Sequence, residues 1–159
     1  MPRLNIVYSP EFEVDRVRYT IGKLAWFREH SYNISMPATW DEKRNYSDEQ
    51  IAAMVYAEYD PHICEEQTDY LTEHWRGIAT ECTILPQKLL DTVLNEYTVH
   101  LTRYGVGGSY SAPNMIITNI KFRHDKGLVE NILHEMTHLA IEQMIEKNQI
   151  SHWYNTITN

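Results

Sequence analysis

Apolar residues recur along the chain in blocks whose spacing assigns most of it to helices. Leu4-Asn-Ile-Val-Tyr8 alternates enough for a short strand, closed by Ser9-Pro10. Val14, Val17, Ile21, Leu24 and Ala25 fall at helical spacing between Val14 and His30, with Gly22 a weak point. Residues 31 to 46 hold Pro37 and many polar side chains and read as a loop. Ser47-Asp-Glu-Gln50 is a capping box that opens a helix through about Tyr59, and Asp60-Pro61 ends it. A further helix is expected over Glu65 to Ala79.

Thr83-Ile-Leu85 is short and apolar, and Pro86 fits the first turn of a helix reaching about Arg103. Leu89, Leu90, Val93, Leu94, Tyr97 and Leu101 would form its apolar face. Tyr104-Gly-Val-Gly-Gly-Ser-Tyr110 reads as a flexible turn. It lacks the Gly-Lys-Ser/Thr of a phosphate loop and does not match the dinucleotide fingerprint. Met115, Ile116, Ile117 and Ile120 mark residues 113 to 121 as a strand. The last long helix spans about Lys126 to Lys147, with a broad stripe from Leu128 to Ile145. The economical architecture is one α+β, helix-rich domain over residues 1–159. Within it, residues 1–85 form an N-terminal helical part of unassigned role, and 86–159 the core that carries chemistry.

Composition narrows the class. Hydrophobic residues at 43% and charged residues at 23% are ordinary for a globular domain. A net charge of -8 counts against a nucleic-acid partner, which needs a concentrated basic surface. No apolar run approaches a membrane span. The N-terminus lacks the apolar core of a signal peptide, so a cytoplasmic location is expected. Cys64 and Cys82 are too far apart for a Cys-x-x-Cys motif, and buried free thiols are favoured over a disulfide.

One constellation carries chemistry: His134-Glu135-Met136-Thr137-His138 within the last helix. Residues four apart lie one turn above each other, so both imidazoles can converge on one tetrahedral ion. Glu135 is rotated by about 100°, beside the ion rather than on it. There it can accept a proton from an activated water and pass it to a leaving group. The bland alternative is two histidines a turn apart with no metal. A hydrolytic zinc site needs a third protein ligand. Glu142 lies a further turn along and reads as an outward or supporting acid. His152, just past the expected helix end, is favoured on ligand type and spacing. Transition-state stabilisation needs a donor near the developing oxyanion. Tyr154 and Tyr110 are candidates, with His124 and Arg103 behind them.

Leu133-His-Glu-Met-Thr-His-Leu139, followed after thirteen residues by His152, resembles the SprT-like zinc metallopeptidases of the zincin group. The resemblance covers about residues 90 to 154, with Asn114-Met-Ile-Ile-Thr-Asn119 standing where that family has its last strand. It implies a zincin-like fold, a small sheet beside the active-site helix, Zn2+ on three histidines and a protein or peptide substrate. It also implies that residues 110 to 120 could receive substrate by strand addition. The expected function is peptide hydrolysis with Glu135 as general base. The competing readings are a non-catalytic zincin-fold binding or regulatory domain and a helical interaction protein with an accidental motif. The retained Glu135 argues against the former, because a purely structural ion needs no base.

Overall fold

A computed structural model describes residues 2–82 and 93–146. Over these residues the chain is a single α+β domain with five helices and one four-stranded sheet. Strand β1 (Arg3–Val7) leads into α1 (Pro10–Gly22), α2 (Leu24–Glu29), α3 (Asp48–Glu58) and α4 (Pro61–Cys82). Then follow β2 (Glu96–Thr102), β3 (Gly108–Ser111), β4 (Met115–Asn119) and α5 (Asp125–Glu146). The sheet order is β1-β2-β4-β3, parallel except for β3, which runs antiparallel to β4 along one edge.

Local signals explain most boundaries. Ser9 Oγ accepts the Phe12 N–H at 3.1 Å and Pro10 opens α1, so the strand-ending Ser-Pro pair is also a helix start. The single helix expected through His30 is two helices, broken at Lys23 directly after Gly22. The Ser47–Gln50 capping box forms with both of its reciprocal bonds. Pro61 ends α3 as expected and also begins α4 four residues before the expected Glu65.

The helix expected to reach Arg103 is corrected at its C-terminal end: residues 96–102 are strand β2. Tyr97, Val99 and Leu101 bury one face in strict alternation, while Thr98 and His100 turn to the other. Tyr97 and Leu101 are four apart, so a strand's inward face mimicked one face of a helix. Residues 83–92, which hold Thr83–Leu85 and the Pro86 helix start, lie outside the described residues.

Helices α4 and α5 pack on the Tyr97 face. Leu71 and Trp75 from α4 meet Leu128, Ile132, Met136 and Leu139 from α5 over Val99, Leu101 and Ile116. Helix α1 lies on the opposite face, where Phe12 stacks on His100 with centroids 4.1 Å apart. A second cluster joins Val14 and Val17 of α1 to Ile51 and Val55 of α3, with Tyr104. Cys64 is a free, buried thiol whose pKa burial pushes up to about 12. The side chain of Cys82 falls outside the description. No helix among the described residues is long and apolar enough to cross a membrane.

Candidate active site

The apolar stripe of α5 faces the core, and this sets where the polar residues of the same helix point. Ile132, Met136 and Leu139 are buried against the sheet. His134 and His138, at i and i+4, leave the adjoining face together, toward the sheet edge made by β3. Their Nε2 atoms lie 3.0 Å apart with the rings nearly perpendicular. Nitrogens bound to one tetrahedral ion at about 2.0–2.1 Å stand about 3.3–3.4 Å apart. The pair therefore fits two positions of a zinc site with little adjustment. Among the described residues no third His, Cys, Asp or Glu joins them. His152 and Tyr154 lie outside the described residues.

Glu135 is 6% exposed and sits against the strand edge. Burial raises its carboxyl pKa, opposed by His134, His138 and Asn131. Its hydrogen-bonding support is sparse: Asn131 Nδ2 donates to Oε1 at 3.5 Å, the outer limit of such a bond. Asn131 is in turn fixed, because Thr118 Oγ1 donates to its Oδ1 at 2.7 Å. A strand residue thus holds an asparagine that steadies the carboxylate one turn along.

Strand β3 supplies the other wall. A Cβ on Gly108 would run into Glu135 Oε1 and stand 2.6 Å from Asn131 Nδ2, so any larger residue here would force those side chains to shift. Two residues on, Tyr110 faces α5 as well and stacks on His138, centroids 5.3 Å apart and planes 8° from parallel. Its hydroxyl donates to Glu142 Oε1 at 2.9 Å, and that bond is the largest cause of its raised pKa. Tyr110, expected as an oxyanion donor, thus spends its hydroxyl on Glu142, which supports the site from beyond the His pair.

The β3 backbone is half unpaired. Gly107 O accepts the Asn119 N–H at 2.9 Å, so by antiparallel alternation Ser109 and Ser111 also turn their backbone groups toward β4. Gly108 and Tyr110 turn theirs outward, away from the sheet. This corrects the expectation that residues 110 to 120 form the receiving edge: Met115–Asn119 is paired on both sides, and Gly108–Ser111 is the edge. Gly-Ser-Tyr-Ser carries little strand propensity, which is why its pattern reads as part of the turn.

Along this edge runs a cleft of about 980 Å³, with His134, Glu135 and His138 on one wall. Arg16, Tyr19, Trp26, Phe27 and Tyr32 also line it. The N-terminal part of the chain therefore contributes to the cleft. Gly108, Asn131, Thr118 and Arg16 belong to the site and were not singled out from sequence. The spacing of Asn131 and Glu135, four apart on one helix, was the available signal. His124 and Arg103, the remaining donor candidates, lie apart: Arg103 Nη1 donates to Glu58 O at 2.7 Å, and His124 does not line the cleft. No family model, curated protein or solved structure matches the chain.

Proposed function

We propose that this chain is a zinc-dependent metallopeptidase with a zincin-like arrangement, cleaving peptides laid along the β3 edge. The observation that carries the reading is a buried, thinly supported Glu135 carboxylate beside two converging imidazoles, at the wall of an open cleft. A residue serving only stability would be firmly hydrogen-bonded at that depth. His134, His138 and, from sequence, His152 would hold the ion. When bound, zinc supplies Lewis acidity toward a water and toward the scissile carbonyl.

The chain's own residues do the rest. The outward N–H and C=O groups of Gly108 and Tyr110 pair with an extended peptide and set its register. Glu135 takes a proton within the cleft and returns it to the departing amine. Asn131 and Thr118 hold that carboxylate in place, and the Tyr110 ring fixes the His138 plane.

Elemental analysis of protein purified without chelators or a metal-affinity tag tests the ion, and one zinc per chain is expected. Glu135→Gln should keep the zinc and lose turnover on an unstructured protein such as casein. No stoichiometric zinc would sink the reading. Zinc with equal turnover in wild type and Glu135→Gln would leave a binding domain instead. Loss of zinc in His152→Ala would support the third ligand, and unchanged affinity would remove it.

A further inference from the structure

Arg16 is a cation the proposed reaction does not use. It is 5% exposed and lines the same cleft as His134, Glu135 and His138. Among the described residues no acceptor meets its Nε or Nη2. Glu13, the acid three residues before it, gives its two oxygens to Thr102 Oγ1 and the Arg103 N–H. Burial lowers the Arg16 pKa, yet a guanidinium stays charged throughout the working range. Glu13 offsets the charge through space only, and a buried guanidinium whose Nε and Nη2 meet no acceptor is costly to keep. Packing alone does not require it, because a methionine would fill similar space against the Tyr19 ring, 5.5 Å from Cζ.

Nε and Nη2 form one edge of the guanidinium, the edge that meets both oxygens of a carboxylate side-on. Gly105 packs against that edge without bonding it: a Cβ there would stand 2.7 Å from Nε, and its φ of +82° independently favours glycine. Three residues along the same segment, Gly108 borders Glu135 in the same manner. The Cα atoms of these two glycines are at most about 11 Å apart, a distance that about three extended residues span. Around Arg16, Tyr19, Phe27 and Tyr32 bring aromatic surface to the cleft, which strengthens an ion pair formed there.

We propose that Arg16 anchors an anion subsite of this cleft, taking a carboxylate of a peptide a few residues from the scissile bond. This rests on the metallopeptidase reading. The carboxylate is either the peptide's C-terminus or an Asp/Glu side chain. Nε and Nη2 are closed from solvent. Binding of the anion therefore requires the long side chain to turn its fork out from beside Tyr19.

Three probes test the subsite: N-acetyl-Ala-Ala-Ala with a free carboxylate, its C-terminal amide, and N-acetyl-Ala-Glu-Ala amide. Binding is measured calorimetrically to zinc-loaded Glu135→Gln and, in parallel, by the Arg16 Nε–H resonance of the otherwise native chain. At least one carboxylate probe should bind about tenfold tighter than the neutral amide, as one charge-assisted pair provides. Only that probe should shift the Nε–H signal. Preference for the free acid assigns the C-terminus, and preference for the Glu peptide assigns a side chain. Arg16→Met should bring all three probes within about twofold of one another, and Arg16→Lys should retain part of the preference. Equal binding of all probes, or a preference that survives Arg16→Met and vanishes in Arg123→Met, overturns the proposal. If Arg16→Met does not fold, the Nε–H shift in the native chain decides. A carboxylate-dependent shift without hydrolysis keeps the subsite and removes the peptidase. Hydrolysis indifferent to the carboxylate does the reverse.

Discussion

Two buried carboxylates stand on helices that cover opposite faces of the sheet, and they solve the same problem differently. Glu13, where α1 crosses β2, is 1% exposed, and Glu135, where α5 meets β3, is 6% exposed. Burial raises the pKa of both and is the largest cause in each case. Glu13 is held by Thr102 Oγ1 and by the Arg103 N–H at 2.8 Å, which bind helix to strand. Glu135 has one donor at 3.5 Å and opens on the cleft. Depth and pKa direction therefore do not separate a structural acid from a reactive one. Under the proposed function, unspent hydrogen-bonding capacity beside a cleft does.

If this contrast is right, deleting the two carboxylates should have crossed consequences. Glu135→Gln should cut turnover by about 10²–10⁴-fold, the range for a lost general base. Its urea midpoint should stay near that of wild type or rise, because a poorly satisfied buried charge is removed. Glu13→Ala should instead cost about 2 kcal/mol of stability by stranding buried donors, while turnover per folded molecule holds. A large stability loss in Glu135→Gln, or turnover that follows Glu13, would erase the distinction.

The next test sits on the strand. Gly108→Ala drives a methyl into Glu135 and Asn131, and a displacement of about 1 Å should lower turnover about 100-fold. Gly107→Ala meets nothing within 4 Å and should leave turnover within about twofold of wild type. Equal effects at the two glycines would show that Glu135 does not depend on close approach by the edge strand. Tyr110→Phe keeps the ring on His138 and frees Glu142; a loss of only about threefold is expected for a hydroxyl worth one neutral-strength bond. A drop as large as that of Glu135→Gln would return Tyr110 to the role of oxyanion donor.

The parts of the site that were readable from sequence are those set by neighbours along the chain. His134, Glu135 and His138 occupy one turn of a helix whose stripe is unmistakable, and the Ser47–Gln50 cap is a four-residue pattern. What escaped depends on tertiary approach. Gly108 matters because α5 passes beneath it, and Gly-Ser-Tyr-Ser becomes a strand only by pairing with β4. Glu13 and Arg16, three apart on α1, have the spacing of an exposed helical ion pair. The structure buries both, and neither bonds the other. Their meaning comes from β2 and the cleft, remote in sequence. The placement of β2 was lost for the opposite reason: Tyr97 and Leu101 satisfy the periods of helix and strand together.

The smallest effect is also the sharpest probe of Glu13. Its folded pKa is raised above the ordinary 4.5, so burial outweighs the two donors. The folded state then keeps this proton to higher pH than the unfolded chain does. Between 4.5 and the folded value the unfolded state binds fewer protons, and stability from this group falls as pH rises. Glu13→Gln removes that titration while its amide can still serve Thr102 and its oxygen can accept the Arg103 N–H. Urea midpoints of wild type and Glu13→Gln, compared from pH 4.5 to 7, should drift in favour of the variant. Other titrating groups cancel in the difference. A gap that stays constant, or one that drifts toward wild type, would mean that Thr102 and Arg103 hold the charged form at least as firmly as burial opposes it. Glu13 would then be a fully satisfied carboxylate, and the two acids would differ in kind rather than in degree.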